Sequence, residues 1–150
     1  MELKKRVSFE LKLKKMRNLT DIQNREDVNT LVNAFYATIQ KDDFLGPIFN
    51  KMIPEKNWEA HLIKLTDFWE TNLFHVMKFK GNPMEAHKRM DKAHNHTIEQ
   101  DHFTYWISLW TKTVDSLFAG EKAEMAKERA RRMSTHLFVN VWQHKPENRS

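Results

Sequence analysis

The sequence contains no cysteine and very little glycine or proline. Without cysteine, a disulfide framework, an iron–sulfur cluster and a thiolate nucleophile are excluded. Three glycines and four prolines in 150 residues fall well below average usage, which is about 12% of a chain. Few helix breakers predict long, uninterrupted helices, and a chain of this length suits one domain.

Long apolar runs are also missing from the sequence. No stretch reaches the roughly 20 apolar residues that a membrane-spanning helix needs. The basic N-terminus lacks the apolar core of a secretory signal. We therefore expect a cytoplasmic protein that has no membrane partner.

Positive charge is concentrated at the start of the chain. The formal net charge is +5, and the first 15 residues carry +4 of it. Their basic residues are Lys4, Lys5, Arg6, Lys12, Lys14 and Lys15. The near-neutral remainder argues against nucleic-acid binding by the folded domain. Apolar residues alternate over 7–13, but an isolated strand has no partner, so we predict a flexible basic extension or a docked arm over residues 1–20.

Beyond residue 20, apolar residues recur at helical spacing and no alternating strand pattern appears. The spacing predicts helices over about 24–40, 55–74, 83–91, 101–118 and 121–142. Gly46-Pro47 predicts that residues 42–49 form a turn. Asn82 and Pro83 are typical of a helix start. We predict one all-α domain over residues 21–143, followed by a polar tail over 144–150.

His87 is the first candidate for chemistry among the eight histidines. It lies one turn inside the short helix that begins at Asn82-Pro83, where a neutral imidazole suits an axial ligand to haem iron. The alternative is an exposed polar residue beside Lys88 and Arg89. A second alternative is a divalent-metal site in the loop that follows, formed by nearby carboxylate and imidazole groups. Its members would be His87, Asp91, His94 and His96.

Three further polar aromatic residues lie on apolar helix faces. His61 is in line with apolar residues of the second helix, either as a core-edge residue or facing a ligand. Tyr36 lies at the centre of the first helix, where a buried phenol needs a partner. Trp106 lies within an apolar stripe, and its indole N–H needs an acceptor when buried. The alternatives are a Tyr36 hydroxyl that reaches the surface and a Trp106 that only fills the core.

The order and spacing of several short motifs resemble the third group of truncated haemoglobins. The motifs run from Phe35-Tyr36 through the segments 43–49, 58–61, 68–69, 81–83, His87 and 102–106. The resemblance extends over about residues 24–142. The double-glycine motifs of the other truncated groups are absent here, and this absence is expected for the third group. The basic segment 1–15 has no counterpart in the family.

The resemblance implies a globin-like, two-over-two helical sandwich around haem. It aligns His87 with the proximal iron ligand, and Tyr36, His61 and Trp106 with the distal pocket. Apolar walls and one basic partner for a haem propionate would come from other positions. These haem-pocket candidates are Phe35, Phe49, Lys64, Leu65, Phe68, Trp69, Phe103 and Trp110.

Two functions of different classes follow as hypotheses. The first is a haem protein that binds dioxygen, carbon monoxide and nitric oxide. An activity as a nitric oxide dioxygenase or a peroxidase, and a reductase partner, remain open within it. The second is a non-haem helical module that binds a metal or another protein. A haem absorption band in the purified protein would favour the first, and a colourless chain that does not take up haem would favour the second.

Overall fold

The computed structural model describes residues 3–6, 18–77, 81–94 and 98–144, and within these ranges every regular element is helical. After residue 18 the α-helices are α1 (Arg25–Lys41), α2 (Gly46–Met52), α3 (Trp58–Phe74), α4 (Pro83–Ala93), α5 (Gln100–Leu117) and α6 (Glu121–Gln143). A 3-10 turn, Glu55–Asn57, precedes α3. The all-α class is confirmed. The alternating residues 7–13, His96 and the tail from 145 lie outside the described residues.

The long helices form two packed pairs. Helix α1 lies against α3, and α5 lies against α6. The pairs meet where α1 contacts α5 and where α3 contacts α6. The short helix α4 packs on α6, and α2 packs on α1. This arrangement is the globin-like sandwich that the resemblance predicts. No helix of the described ranges is both long and apolar enough to cross a membrane.

A parallel stack of three indoles forms the centre of the core. Trp110 of α5 is fully buried, and its ring centroid lies 4.6 Å from that of Trp69 on α3, with 19° between the planes. Trp106 lies parallel on the same side of α5, at 5.9 Å and 4°. The Nε1–H of Trp110 donates to the carbonyl of Ala126 on α6, at 3.1 Å. The stack therefore joins α3, α5 and α6.

A residue from far along the chain caps the start of α6. The Asp21 carboxylate accepts the backbone N–H groups of Lys122 and Ala123, each at 2.8 Å. Gly120, with φ +148°, lies just before this helix. A Cβ at Gly120 would come within 2.5 Å of the Asp21 Cγ, so glycine is what lets the carboxylate approach the helix end.

The C-terminal end of α3 is bound by side chains of α6. His75 ends α3 in the left-handed conformation, at φ 58°. Lys122 Nζ donates to the Leu73 carbonyl at 2.7 Å, and the Arg129 guanidinium donates to the Asn72 carbonyl. These carbonyls have no partner within their own helix, so α6 supplies the donors that they need.

Two boundaries differ from those that the sequence predicts. Gly46-Pro47 begins helix α2 instead of interrupting regular structure, because a proline in the first turn has no N–H that the helix would use. The turn is thereby confined to the residues before it, where the Asp42 carboxylate accepts the N–H groups of Phe44 and Leu45. The helix predicted from residue 55 starts as a 3-10 turn and becomes α-helical at Trp58.

We predict that Asp21→Ala lowers the free energy of unfolding by about 1–2 kcal/mol, the range measured for removing a helix cap. The reason is that two N–H groups at the start of α6 lose their acceptor. Urea unfolding measures the loss. Asp43→Ala is the matched control, because Asp43 is an exposed carboxylate in the turn before α2 and should change stability by less than about 0.5 kcal/mol. Equal effects of the two substitutions would contradict the prediction.

Candidate functional site

A cavity of about 380 Å³ lies between the helices and receives side chains from all six. This volume falls in the usual range for small-molecule and cofactor pockets. Ten of the twelve site residues proposed from the sequence line it. They are Tyr36, Phe49, His61, Lys64, Leu65, Phe68, Trp69, His87, Phe103 and Trp106. The fold therefore brings together residues that are up to 70 positions apart in the chain.

Phe35 and Trp110 do not line the cavity, although the sequence suggested them as pocket walls. Both are fully buried behind it. Phe35 precedes Tyr36 on α1, and successive residues point in directions about 100° apart on a helix. Trp110 lies one turn beyond Trp106 on α5. The Phe35 ring is perpendicular to the indoles of Trp106 and Trp110, with ring centroids 5.4 Å and 5.0 Å away. It therefore supports the cavity wall from the core side.

His87 is held in one tautomer by the start of helix α4. The Asn82 side chain caps this helix by accepting the Glu85 N–H at 3.3 Å, and Pro83 occupies the first turn. The Nδ1 atom of His87 lies 2.7 Å from the Pro83 carbonyl oxygen. A carbonyl oxygen can only accept, so Nδ1 carries the proton and Nε2 keeps its lone pair. A second nitrogen fixed in this way is typical of histidines that ligate metals.

Burial keeps the His87 imidazole neutral. It lowers the pKa of His87 below the ordinary 6.5, and the hydrogen bond to the Pro83 carbonyl offsets part of this shift. The ring packs against Phe103, with centroids 6.1 Å apart. A neutral ring with a bare Nε2 can serve as a donor atom to a metal.

Tyr36 and Trp106 place two hydrogen-bond donors on the cavity wall from different helices. Tyr36 is only 5% exposed. Burial raises the pKa of the Tyr36 phenol well above its usual 10, and a hydrogen bond from the Trp106 side chain offsets part of that rise. The phenol therefore keeps its proton at every physiological pH. An indole N–H is likewise always a donor.

His61 lies beside Tyr36, on α3. Its ring is perpendicular to that of Tyr36, with centroids 5.9 Å apart. Burial lowers the pKa of His61, and the nearby charge of Lys64 lowers it further. The imidazole is consequently neutral at pH 7, as the apolar surroundings require.

Charged side chains occur on the cavity lining only at exposed positions. Lys64 on α3 and Arg89 on α4 both line the cavity and are exposed. Arg89 was not proposed from the sequence, where it counted only as a polar neighbour of His87. Two cations at the rim suit an anionic group of a ligand whose body lies in the apolar interior.

Other lining residues were not proposed as site residues from the sequence, where some were assigned to the core, to a turn or to a helix start. They are Leu45, Ile48, Met52, Ile53, Asn82, Pro83, Ala86, Met90, Ile98, His102, Met133, Ser134 and Leu137. Helical spacing from His87 could have found Pro83 and Met90, which share its face of α4. His102 belongs to the run that carries the family resemblance. Its Nδ1 accepts the Glu99 N–H at 2.9 Å, and its ring stacks on Phe44 at 4.5 Å.

The loop-metal alternative gains no support from the described residues. Among them, no group of three or more His, Cys, Asp or Glu side chains could hold a metal ion. Asp91 is 2% exposed, and its carboxylate accepts the Ile98 N–H at 2.9 Å. This carboxylate therefore has a structural partner across the loop. His96, the remaining member of that proposal, lies outside the described residues.

Comparisons with known proteins find similarity to truncated haemoglobins. No protein-family model matches the chain. A curated relative, the group 3 truncated haemoglobin ctb of Campylobacter jejuni, is 28% identical over 120 residues, which cover 79% of this chain and 90% of the relative. The crystal structure of a group III truncated haemoglobin from Campylobacter jejuni superposes with a TM-score of 0.74 at 24% identity. That match covers 84% of this chain and 97% of the solved one.

These matches confirm the resemblance that the sequence motifs indicated. The sequence similarity extends along most of the chain, and the structural match covers nearly all of the solved relative. The chain has the truncated-haemoglobin fold and resembles the third group of that family.

Proposed function

We propose that this protein binds haem in the cavity, where His87 would hold the iron and the iron would take dioxygen or another diatomic gas. The observation that carries the proposal is the hydrogen bond from Nδ1 of His87 to the Pro83 carbonyl. It leaves Nε2 of a half-buried, neutral imidazole as an electron-pair donor on the cavity wall. The curated relative is named a haemoglobin, which supports the same cofactor.

The other lining residues fit haem as well. Apolar side chains form the walls, as a porphyrin requires. These wall residues are Phe49, Leu65, Phe68, Trp69 and Phe103. Lys64 and Arg89 would meet the propionates at the rim, although exposed ion pairs contribute at most about 1 kcal/mol each. Haem would supply an iron atom that takes a diatomic gas.

The distal donors point to tight oxygen binding. Tyr36 O–H and Trp106 N–H would favour a ligand that gains negative charge on its outer atom, because hydrogen bonds to charged groups are the stronger ones. Slow oxygen release suits transport poorly. We therefore infer sensing, detoxification of nitric oxide or another oxidant, or redox work, with electrons supplied by a reductase.

We predict that the purified protein shows the strong haem absorption band of a globin and that His87→Ala abolishes its normal ferrous spectrum. The variant removes the proposed axial ligand. His136→Ala is the matched control, since His136 is an exposed residue of α6, and its spectrum should equal that of the wild type. An unchanged ferrous spectrum in His87→Ala would overturn the ligand assignment. A colourless chain that takes up no added haem would favour the non-haem module.

A further prediction concerns oxygen release. A hydrogen bond to a charged group contributes roughly 1.5–3 kcal/mol, so Tyr36→Phe and Trp106→Phe should each raise the oxygen off-rate by about ten- to a hundredfold. Carbon monoxide carries less charge when bound, and its off-rate should change less. Stopped-flow release kinetics measure both rates.

The Trp106 side chain forms a hydrogen bond with Tyr36, so the effects of the two substitutions on the oxygen off-rate need not add. A double-mutant cycle measures the coupling between them. Thermal melts of the three variants control for folding. If each single variant and the double variant leave the oxygen off-rate at the wild-type value, neither residue donates to the ligand.

A further inference from the structure

Trp58, at the first turn of α3, has no role in the site described so far. It is 7% exposed. Its ring centroid lies 5.6 Å from that of His61, with 90° between the planes, and 6.1 Å from that of Tyr36. Since His61 and Tyr36 are 5.9 Å apart, the three rings contact one another. The two contacts of His61 are edge-to-face and that between Trp58 and Tyr36 is tilted; such ring contacts are favourable and depend on orientation.

His61 depends on these ring contacts for its position. Within the part of the chain that the structure describes, its imidazole nitrogens form no hydrogen bond. The two edge-to-face ring contacts, with Tyr36 and with Trp58, therefore help to orient the imidazole. A side chain held in this way is free to turn once a neighbouring ring moves.

A second pocket, partly open to solvent, borders Trp58. Its volume is about 360 Å³, and Gln40, Asn50, Ile53 and Glu55 line it together with Trp58. Ile53 also lines the main cavity. Trp58 lines only the second pocket but contacts two residues of the main cavity. The indole thus contacts residues of the main cavity and also borders the second pocket.

We propose that Trp58 is the positioning residue of His61: the indole keeps the imidazole turned into the main cavity, and displacement of the indole towards the second pocket releases it. The ring contact itself requires no haem. Only its consequence, control over the entry of a diatomic gas, rests on the function proposed above.

The first test follows the titration of His61 by NMR in the full-length chain, with and without Trp58. Trp58→Ala removes one of the rings that bury the imidazole, so the pKa of His61 should shift upwards towards the ordinary 6.5. The polar groups facing His61 are Lys64 on its own helix and Tyr36 on α1, and both remain in the variant. Trp58→Phe keeps an aromatic ring and should keep the depressed pKa.

Trp142→Ala is the matched control, because Trp142 is 48% exposed at the end of α6. It should leave the pKa of His61 unchanged. A Trp58→Ala variant that melts cooperatively and keeps the wild-type pKa of His61 would overturn the proposal. This readout needs no bound haem, so its failure is distinct from a failure of the haem proposal.

The second test places a larger side chain in the second pocket, beside the Trp58 indole. Asn50→Phe alters the exposed side of the second pocket and leaves all three rings intact. With haem bound, carbon monoxide association should become slower in Asn50→Phe and faster in Trp58→Ala, in proportion to the fraction of molecules whose imidazole has left the cavity. If Trp58→Ala does not fold, Asn50→Phe still decides. An association rate equal to that of the wild type in Asn50→Phe would then overturn the proposal.

Discussion

The buried indole of Trp110 is the constraint on which the cavity depends. A buried N–H must find an acceptor, and the carbonyl of Ala126 supplies it at 3.1 Å. The small side chains of Ala123, Ala126 and Ala130, all fully buried, allow α6 to lie close to this indole. Trp69 and Trp106 stack on Trp110 and form two walls of the cavity. Because protein interiors pack densely, an internal space persists only where its walls cannot move inwards, and this stack holds them apart.

The electrostatics of the cavity follow from the same burial. Burial raises the pKa of Tyr36 and lowers the pKa values of His61 and His87. All three shifts favour the neutral form, since a low dielectric disfavours charge. The cavity interior therefore offers neutral donors and the unprotonated Nε2 of His87 at physiological pH. The charged residues Lys64 and Arg89 stay at the rim, where water still solvates them.

The sequence predicted those features that depend on local pattern. The helices and their apolar faces were predictable because each face repeats within a few residues. The family resemblance placed His87 opposite Tyr36 and Trp106, and the fold does bring these side chains to one cavity. The sequence could not show which residues of an apolar helix face line the cavity and which lie behind it, so Phe35 and Trp110 were proposed as wall residues although they lie in the core. Asp21 was not predictable either, because a cap supplied from 101 residues away has no local signal.

The position of the His87 side chain depends on hydrogen bonds at both ends of the short helix α4. Asn82 caps its start, and the Pro83 carbonyl there fixes the tautomer of His87. At the other end, Lys51 Nζ of α2 donates to the Ala93 carbonyl at 3.2 Å, and Asp91 binds the Ile98 N–H just before α5. An 11-residue helix has too few internal hydrogen bonds to be stable alone. These links join α4 to α2 and to Ile98, just before α5, while α4 itself packs on α6. The separation between His87 and the Tyr36 side of the cavity is therefore set by the fold before any ligand enters, and ordering this side chain costs a ligand little.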